Sequence, residues 1–102
     1  MSTPIRYISP KEIRELFNSN ILPDIDQGLF IVEIQTDKHP SSNKASEPYC
    51  TRSQFVKYVD KYSLKEIAWA HRYLRPDFTI GASGKPDPKM VLLDGITYYV
   101  QS

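Results

Sequence analysis

The chain has 102 residues, is 40% apolar and 25% charged, and sets thirteen Lys/Arg against twelve Asp/Glu for a net charge of +1. This length suits one domain with one core, and seven tyrosines, four phenylalanines and one tryptophan supply bulky side chains that disordered chains lack. The near-neutral balance argues against a surface built throughout for nucleic acid, no apolar run reaches the roughly 18 residues a membrane-spanning helix needs, and a single cysteine, Cys50, rules out an internal disulfide.

The first residues, Met1 to Arg6, lack the apolar stretch of a signal peptide. With the lone cysteine, this points to the cytoplasm. Charge is unevenly spread. Residues 1–51 hold five basic and seven acidic side chains, residues 52–89 hold eight and four, and residues 90–102 hold only Asp94. The mildly basic stretch is therefore 52–89, an excess that a solvated helix or loop face can also carry.

The first element is a helix beginning at Ser9-Pro10. Ser9 and Glu12 form a capping box, Pro10 fits the first helical position, and Ile8 can staple onto Ile13. Ile13, Leu16 and Phe17 make its apolar stripe, and Asn18-Ser19-Asn20 closes it. Residues 21–28, with Pro23, Asp24, Asp26 and Gly28, read as loop. Leu29 to Thr36 is rich in β-branched and aromatic residues and reads as a strand. Residues 37–48 hold one apolar residue and read as a mobile polar surface loop.

A second helix is expected from Thr51. Thr51 and Gln54 match a capping box, and Phe55, Val59 and Tyr62 recur at helical spacing. Residues 64–74 are ambiguous. Their composition suits a helix, but Ile67, Trp69, His71 and Tyr73 alternate with Ala68, Ala70, Arg72 and Leu74, which favours a strand. Pro76 pushes Arg75 out of helical geometry, and Gly81 to Lys89 reads as irregular loop. Met90–Leu93 and Ile96–Val100 flank Asp94-Gly95, a strong hairpin signal.

The expected fold is a single α+β domain over residues 1–102. A small antiparallel sheet of three to four strands packs with two helices and ends in a C-terminal β-hairpin. If residues 64–74 are helical instead, the order α-β-α-α-β-β resembles a winged-helix domain, in element order alone.

Most sites of catalysis or cofactor binding fail on the sequence. Gly81-Ala-Ser-Gly84-Lys85 has two residues between its glycines where a phosphate loop has four, and Pro86 follows Lys85 where Ser or Thr is needed. A looser anion nest on the Gly81–Gly84 amides is the weaker alternative to a flexible connector. One cysteine and two histidines cannot make a zinc quartet. Asp24-Ile-Asp26-Gln-Gly28 lacks the later ligands of a calcium loop. No metal or cofactor is expected. Cys50 has no histidine placed beside it by the sequence and reads as a packed thiol.

His71 is the one candidate catalytic residue. It can act as acid or base, with Arg72, Arg75, Lys85 or Lys89 as a cation for phosphate and Ser83 as an extra donor. A histidine packed in a sheet face is the plainer reading. Trp69, Tyr73, Tyr98 and Tyr99 interleave with basic residues and could stack bases if exposed, though tyrosines of this kind are commonly core.

Three functions follow. The leading one is a small non-catalytic interaction or regulatory protein that binds another protein. The second is a nucleic-acid-binding domain using the 52–89 segment. The third is a metal-independent nuclease centred on His71. In each case Arg72, Arg75, Lys85 and Lys89 are the expected binding residues, because glycines let the loop between them approach a partner closely.

Overall fold

The computed structural model describes residues 4–38, 47–48, 50–81 and 84–101. Eight elements run in the order β1 (Ile5–Ile8), α1 (Pro10–Asn20), α2 (Leu22–Asp26), β2 (Phe30–Lys38), β3 (Arg52–Asp60), β4 (Glu66–Leu74), β5 (Asp87–Leu93) and β6 (Ile96–Val100). They build one six-stranded sheet in the order β1-β6-β5-β4-β3-β2. Strands β2 to β6 are a continuous antiparallel meander, and β1 adds parallel to β6.

α1 starts as its residues dictate. Ser9 Oγ accepts from the Glu12 N–H at 3.1 Å, and Glu12 Oε1 accepts from the Ser9 N–H at 3.2 Å, with Pro10 at the first position. Its stripe packs on β5 and β6, with Ile13 and Phe17 buried and the Phe17 ring 6.0 Å from that of Tyr58. The core is completed by Ile21, Val56, Ala68, Ala70 and Val91.

The expectation of a small antiparallel sheet of three to four strands packed with two helices is overturned: the sheet is mixed and six-stranded, and the two helices are short. The chain is 51% strand and 18% helix, and the winged-helix order fails because residues 51–74 hold no helix. The largest correction concerns the helix expected from Thr51, which is β3. Its residues Gln54, Val56 and Tyr58 are buried and alternate with half-buried Ser53, Phe55 and Lys57, a period of two. The capping box does not form: Thr51 Oγ1 is buried without a hydrogen-bond partner, and Gln54 Oε1 accepts from Arg72 Nε at 2.9 Å.

Residues 21–28 are not all loop, since Leu22–Asp26 form α2, with Pro23 in its first turn and Gly28 at φ 73° behind it. β1 went unread because its four residues find their partner at the far end of the chain. The irregular stretch 81–89 is shorter than expected, because β5 begins at Asp87. Of the polar loop 37–48, Asp37 and Lys38 belong to β2, and residues 39–46 lie outside the described residues.

Of residues 64–74, Glu66–Leu74 are strand as alternation favoured, with Ala68 and Ala70 fully buried, and Leu64 sits in the preceding turn at φ 61°. The C-terminal hairpin forms in the expected register, Leu93 opposite Ile96, with Asp94 and Gly95 at φ 51° and 78°. No helix among the described residues is long and apolar enough to cross a membrane.

Candidate functional site on the open side of the sheet

Directly paired residues point to the same side of a sheet, so the registers sort every strand residue to one side. One line runs Arg6, Tyr98, Val91, Ala68, Tyr58, Val32 across all six strands on the helix side. The adjacent line runs Tyr7, Tyr99, Met90, Trp69, Lys57, Glu33 on the opposite side, where no helix packs.

The open side carries a connected aromatic array. Tyr7 stacks on Tyr99 with ring centroids 5.8 Å apart, Tyr99 meets Trp69 edge-on at 5.9 Å, and Trp69 meets Phe55 at 6.4 Å. Strands β4 and β6 are two places apart, roughly 9–10 Å, so the Trp69 and Tyr99 rings lean together over the intervening Met90. That explains why Met90 is only 4% exposed on a side without helices.

Trp69 is held in place by its neighbours. Its indole N–H donates to Glu66 Oε1 at 2.8 Å, Lys57 Nζ lies 5.3 Å from the ring centroid, and Lys57 also pairs with Glu66 at 3.1 Å. The indole bond, followed by Lys57, lowers the Glu66 carboxyl below its ordinary range.

His71 lies on the same side, beside this array. Ser53 Oγ is 2.8 Å from its Nε2, the Tyr73 ring stands edge-on with centroids 4.7 Å apart, and Phe55 and Asp87 are its cross-strand partners. Burial and then Lys89 lower the imidazole pKa, with Asp87 opposing them, so the ring favours its neutral form. Asp87 Oδ2 accepts from Lys89 Nζ at 2.9 Å.

The expected binding cations do not share one surface. Arg72 points to the helix side, where its Nε reaches Gln54. Arg75 Nε bonds Glu47 Oε2 at 2.8 Å, and the Glu47 side chain is 3% exposed. Lys85 is exposed in the connection between β4 and β5. Lys89 alone stands with His71. Of the four interleaved aromatics, Trp69, Tyr73 and Tyr99 share the open side, whereas Tyr98 faces the helices. Ser83 and His39 lie outside the described residues, and Cys50 is exposed just before β3.

Sequence reasoning missed Tyr7, Ser53, Phe55, Asp87 and Met90. The available signal was strand propensity: Phe55, Val56, Tyr58 and Val59 crowd β-branched and aromatic residues into 52–60, which a helical reading hid. No group of three or more metal-ligating side chains forms among the described residues. A separate groove of about 410 Å³ lies on the helix side, lined by Ile8, Glu12, Glu15, Leu16, Asn20 and Tyr98. Its Glu12 is committed to the helix cap.

The Ser53–His71 pair has the separation of a nucleophile and its base. Acyl transfer would also need backbone donors aimed at a developing oxyanion. Ser53 and His71 lie on the interior strands β3 and β4, and the N–H of Phe55 donates to Thr36 Oγ1 at 3.2 Å. No protein-family profile, curated protein or solved structure matches the chain.

Proposed function

We propose that this chain is a non-catalytic interaction module that docks a protein partner on the open side of its sheet. The observation that carries the reading is the line Tyr7–Tyr99–Met90–Trp69, a band of Tyr, Met and Trp side chains crossing four neighbouring strands. Tyr and Trp are among the residue types enriched at the centres of protein interfaces, and Met90, 4% exposed, supports their rings from beneath. Trp69 is fixed by Glu66 and Lys57, so little rotamer freedom is lost when a partner covers it. The fitting partner offers an apolar centre with few charges.

The charge pattern supports protein over nucleic acid. Lys57 and Lys89 beside the aromatic band are each matched by a carboxylate, Glu66 and Asp87. A site for a polyanion would leave positive charge uncompensated to release counterions.

The test is a panel run on the intact chain. Immobilised wild type is screened against a random peptide display library, and in parallel against labelled single-stranded DNA and RNA at low and high salt. The expected result is enrichment of apolar peptides, with affinity falling more than tenfold in Tyr7→Ser and Trp69→Ala, a loss typical of interface hot spots. Tyr7 is 66% exposed, so its variant keeps the fold if Trp69→Ala does not. Salt-sensitive oligonucleotide binding without peptide binding would overturn the reading. So would RNA cleavage by wild type that His71→Ala abolishes.

A further inference from the structure

The far edge of the sheet has a different character from its open side. β2 is the last strand, nine residues long, and no described residue pairs with its outer edge. Ile31, Val32 and Ile34 are 43%, 38% and 49% exposed. They alternate between both sides of the sheet, because Val32 pairs with Tyr58 on the helix side and Ile31 with Val59 on the other. α1 packs on β5 and β6, and on the helix side of β2 Phe30 packs partly against the core while Val32 and Ile34 stay exposed.

An outer strand exposes a row of unsatisfied N–H and C=O groups, and soluble proteins blunt such edges with proline, charge, bulges or short length. β2 has no proline. Its register shift falls only between Ile34 and Thr36, and the segment from Leu29 to Ile34 carries a single charge, Glu33. That charge lies opposite Lys57 of its own chain. The usual protections are missing from the stretch that is most apolar.

We infer that this edge pairs with the β2 of a second copy, antiparallel about a two-fold axis at Val32, to give a continuous twelve-stranded sheet. The occupant follows from the strand's own symmetry. Around Val32, Phe30 and Ile34 stand two places either side, so self-pairing sets Phe30 opposite Ile34 twice and Val32 opposite itself. All six side chains share the helix side, and Val32 and Ile34, exposed there in one copy, join the half-buried Phe30 in a small apolar cluster across the axis. On the other side Ile31 faces Glu33, and no like charges are directly opposed. Shifting the axis to Glu33 would oppose two glutamates, which is destabilising. An axis through one residue also satisfies the isologous geometry of a two-fold dimer. This inference uses residues separate from the aromatic band and stands or falls independently of it.

The test is oligomeric state. Sedimentation equilibrium and light scattering of the intact chain over a wide concentration range should show a monomer–dimer equilibrium. Val32→Lys and Ile34→Lys should each raise the dimer dissociation constant at least tenfold with an unchanged far-ultraviolet spectrum. Tyr7→Ser should leave it unchanged. Two results would overturn the proposal: a monomer at every concentration, or a dimer lost in Tyr7→Ser but kept in both β2 variants. If one lysine variant fails to fold, the other still decides the question.

Discussion

Ser53 Oγ and His71 Nε2 lie 2.8 Å apart across neighbouring strands. Burial and Lys89 lower the His71 pKa, so the unfolded chain takes up a proton at higher pH than the folded one. Stability therefore rises with pH through the window below the ordinary histidine value of about 6.5 and is lost as pH falls through it. Wild type should lose more stability than His71→Gln between neutral and mildly acidic pH, as read by urea midpoints. Equal slopes for the two proteins would show that His71 is not protected from protonation.

The C-terminal hairpin depends on Gly95 at φ 78°. A β-branched residue resists that conformation, and left-handed geometry costs L-residues about 1–2 kcal/mol. Gly95→Val should lower the unfolding free energy by at least that much in a denaturant titration. An unchanged midpoint would mean that the turn relaxes to another type.

Phe78 is the reverse case. It is 81% exposed and sits at φ 69° in a turn closed by the Phe78 N–H on the Arg75 carbonyl at 2.8 Å. Thr79 N–H and Oγ1–H both donate to Asp77 Oδ1, at 3.0 and 2.6 Å. Glycine accepts this conformation without steric cost, and an exposed ring contributes little burial. Phe78→Gly should raise stability by ~0.5–1 kcal/mol after the larger backbone entropy of glycine is deducted. Calorimetry showing a lower melting temperature would refute this.

Gly81 lies against the buried Glu47 carboxylate. A Cβ there would meet Glu47 Cδ at 2.6 Å, and Glu47 cannot easily retreat because Arg75 holds it. Gly81→Ala should cost ~1–2 kcal/mol by overpacking. In a double-mutant cycle with Glu47→Ala the two losses should fall short of additivity. Full additivity would separate the two residues.

What could be read from the sequence was governed by range. Ser9, Pro10 and Glu12 lie within one turn, and Asp94-Gly95 within one hairpin, so their local chemistry announced both elements. β3 misled because Thr51 and Gln54 carry the side chains of a helix cap. Only the fold reveals that Gln54 is a core residue satisfied by Arg72, eighteen positions away. β1 pairs Ile5 with Thr97, a contact that no window of sequence contains. The site divided in the same way. His71 and Trp69 stood out as residue types in an alternating segment. Ser53 and Tyr7 acquire meaning only through register, and Arg72 left the expected cationic group because alternation turns it toward the helices.

The position of β1 beside β6 has a consequence for synthesis. α1 packs chiefly on β5 and β6, so the apolar stripe of Ile13 and Phe17 is made early and sheltered late. The β2–β3 and β3–β4 hairpins can form while the chain is still being extended, but the core stays open on its helix side until residues up to Val100 have left the ribosome. Closure then joins segments from opposite ends of the described chain, a non-local step of the kind that slows folding. A nascent chain arrested before β5 should hold Phe17 in water and bind chaperones that recognise exposed apolar segments, whereas one extended past Val100 by enough linker to clear the exit tunnel should not.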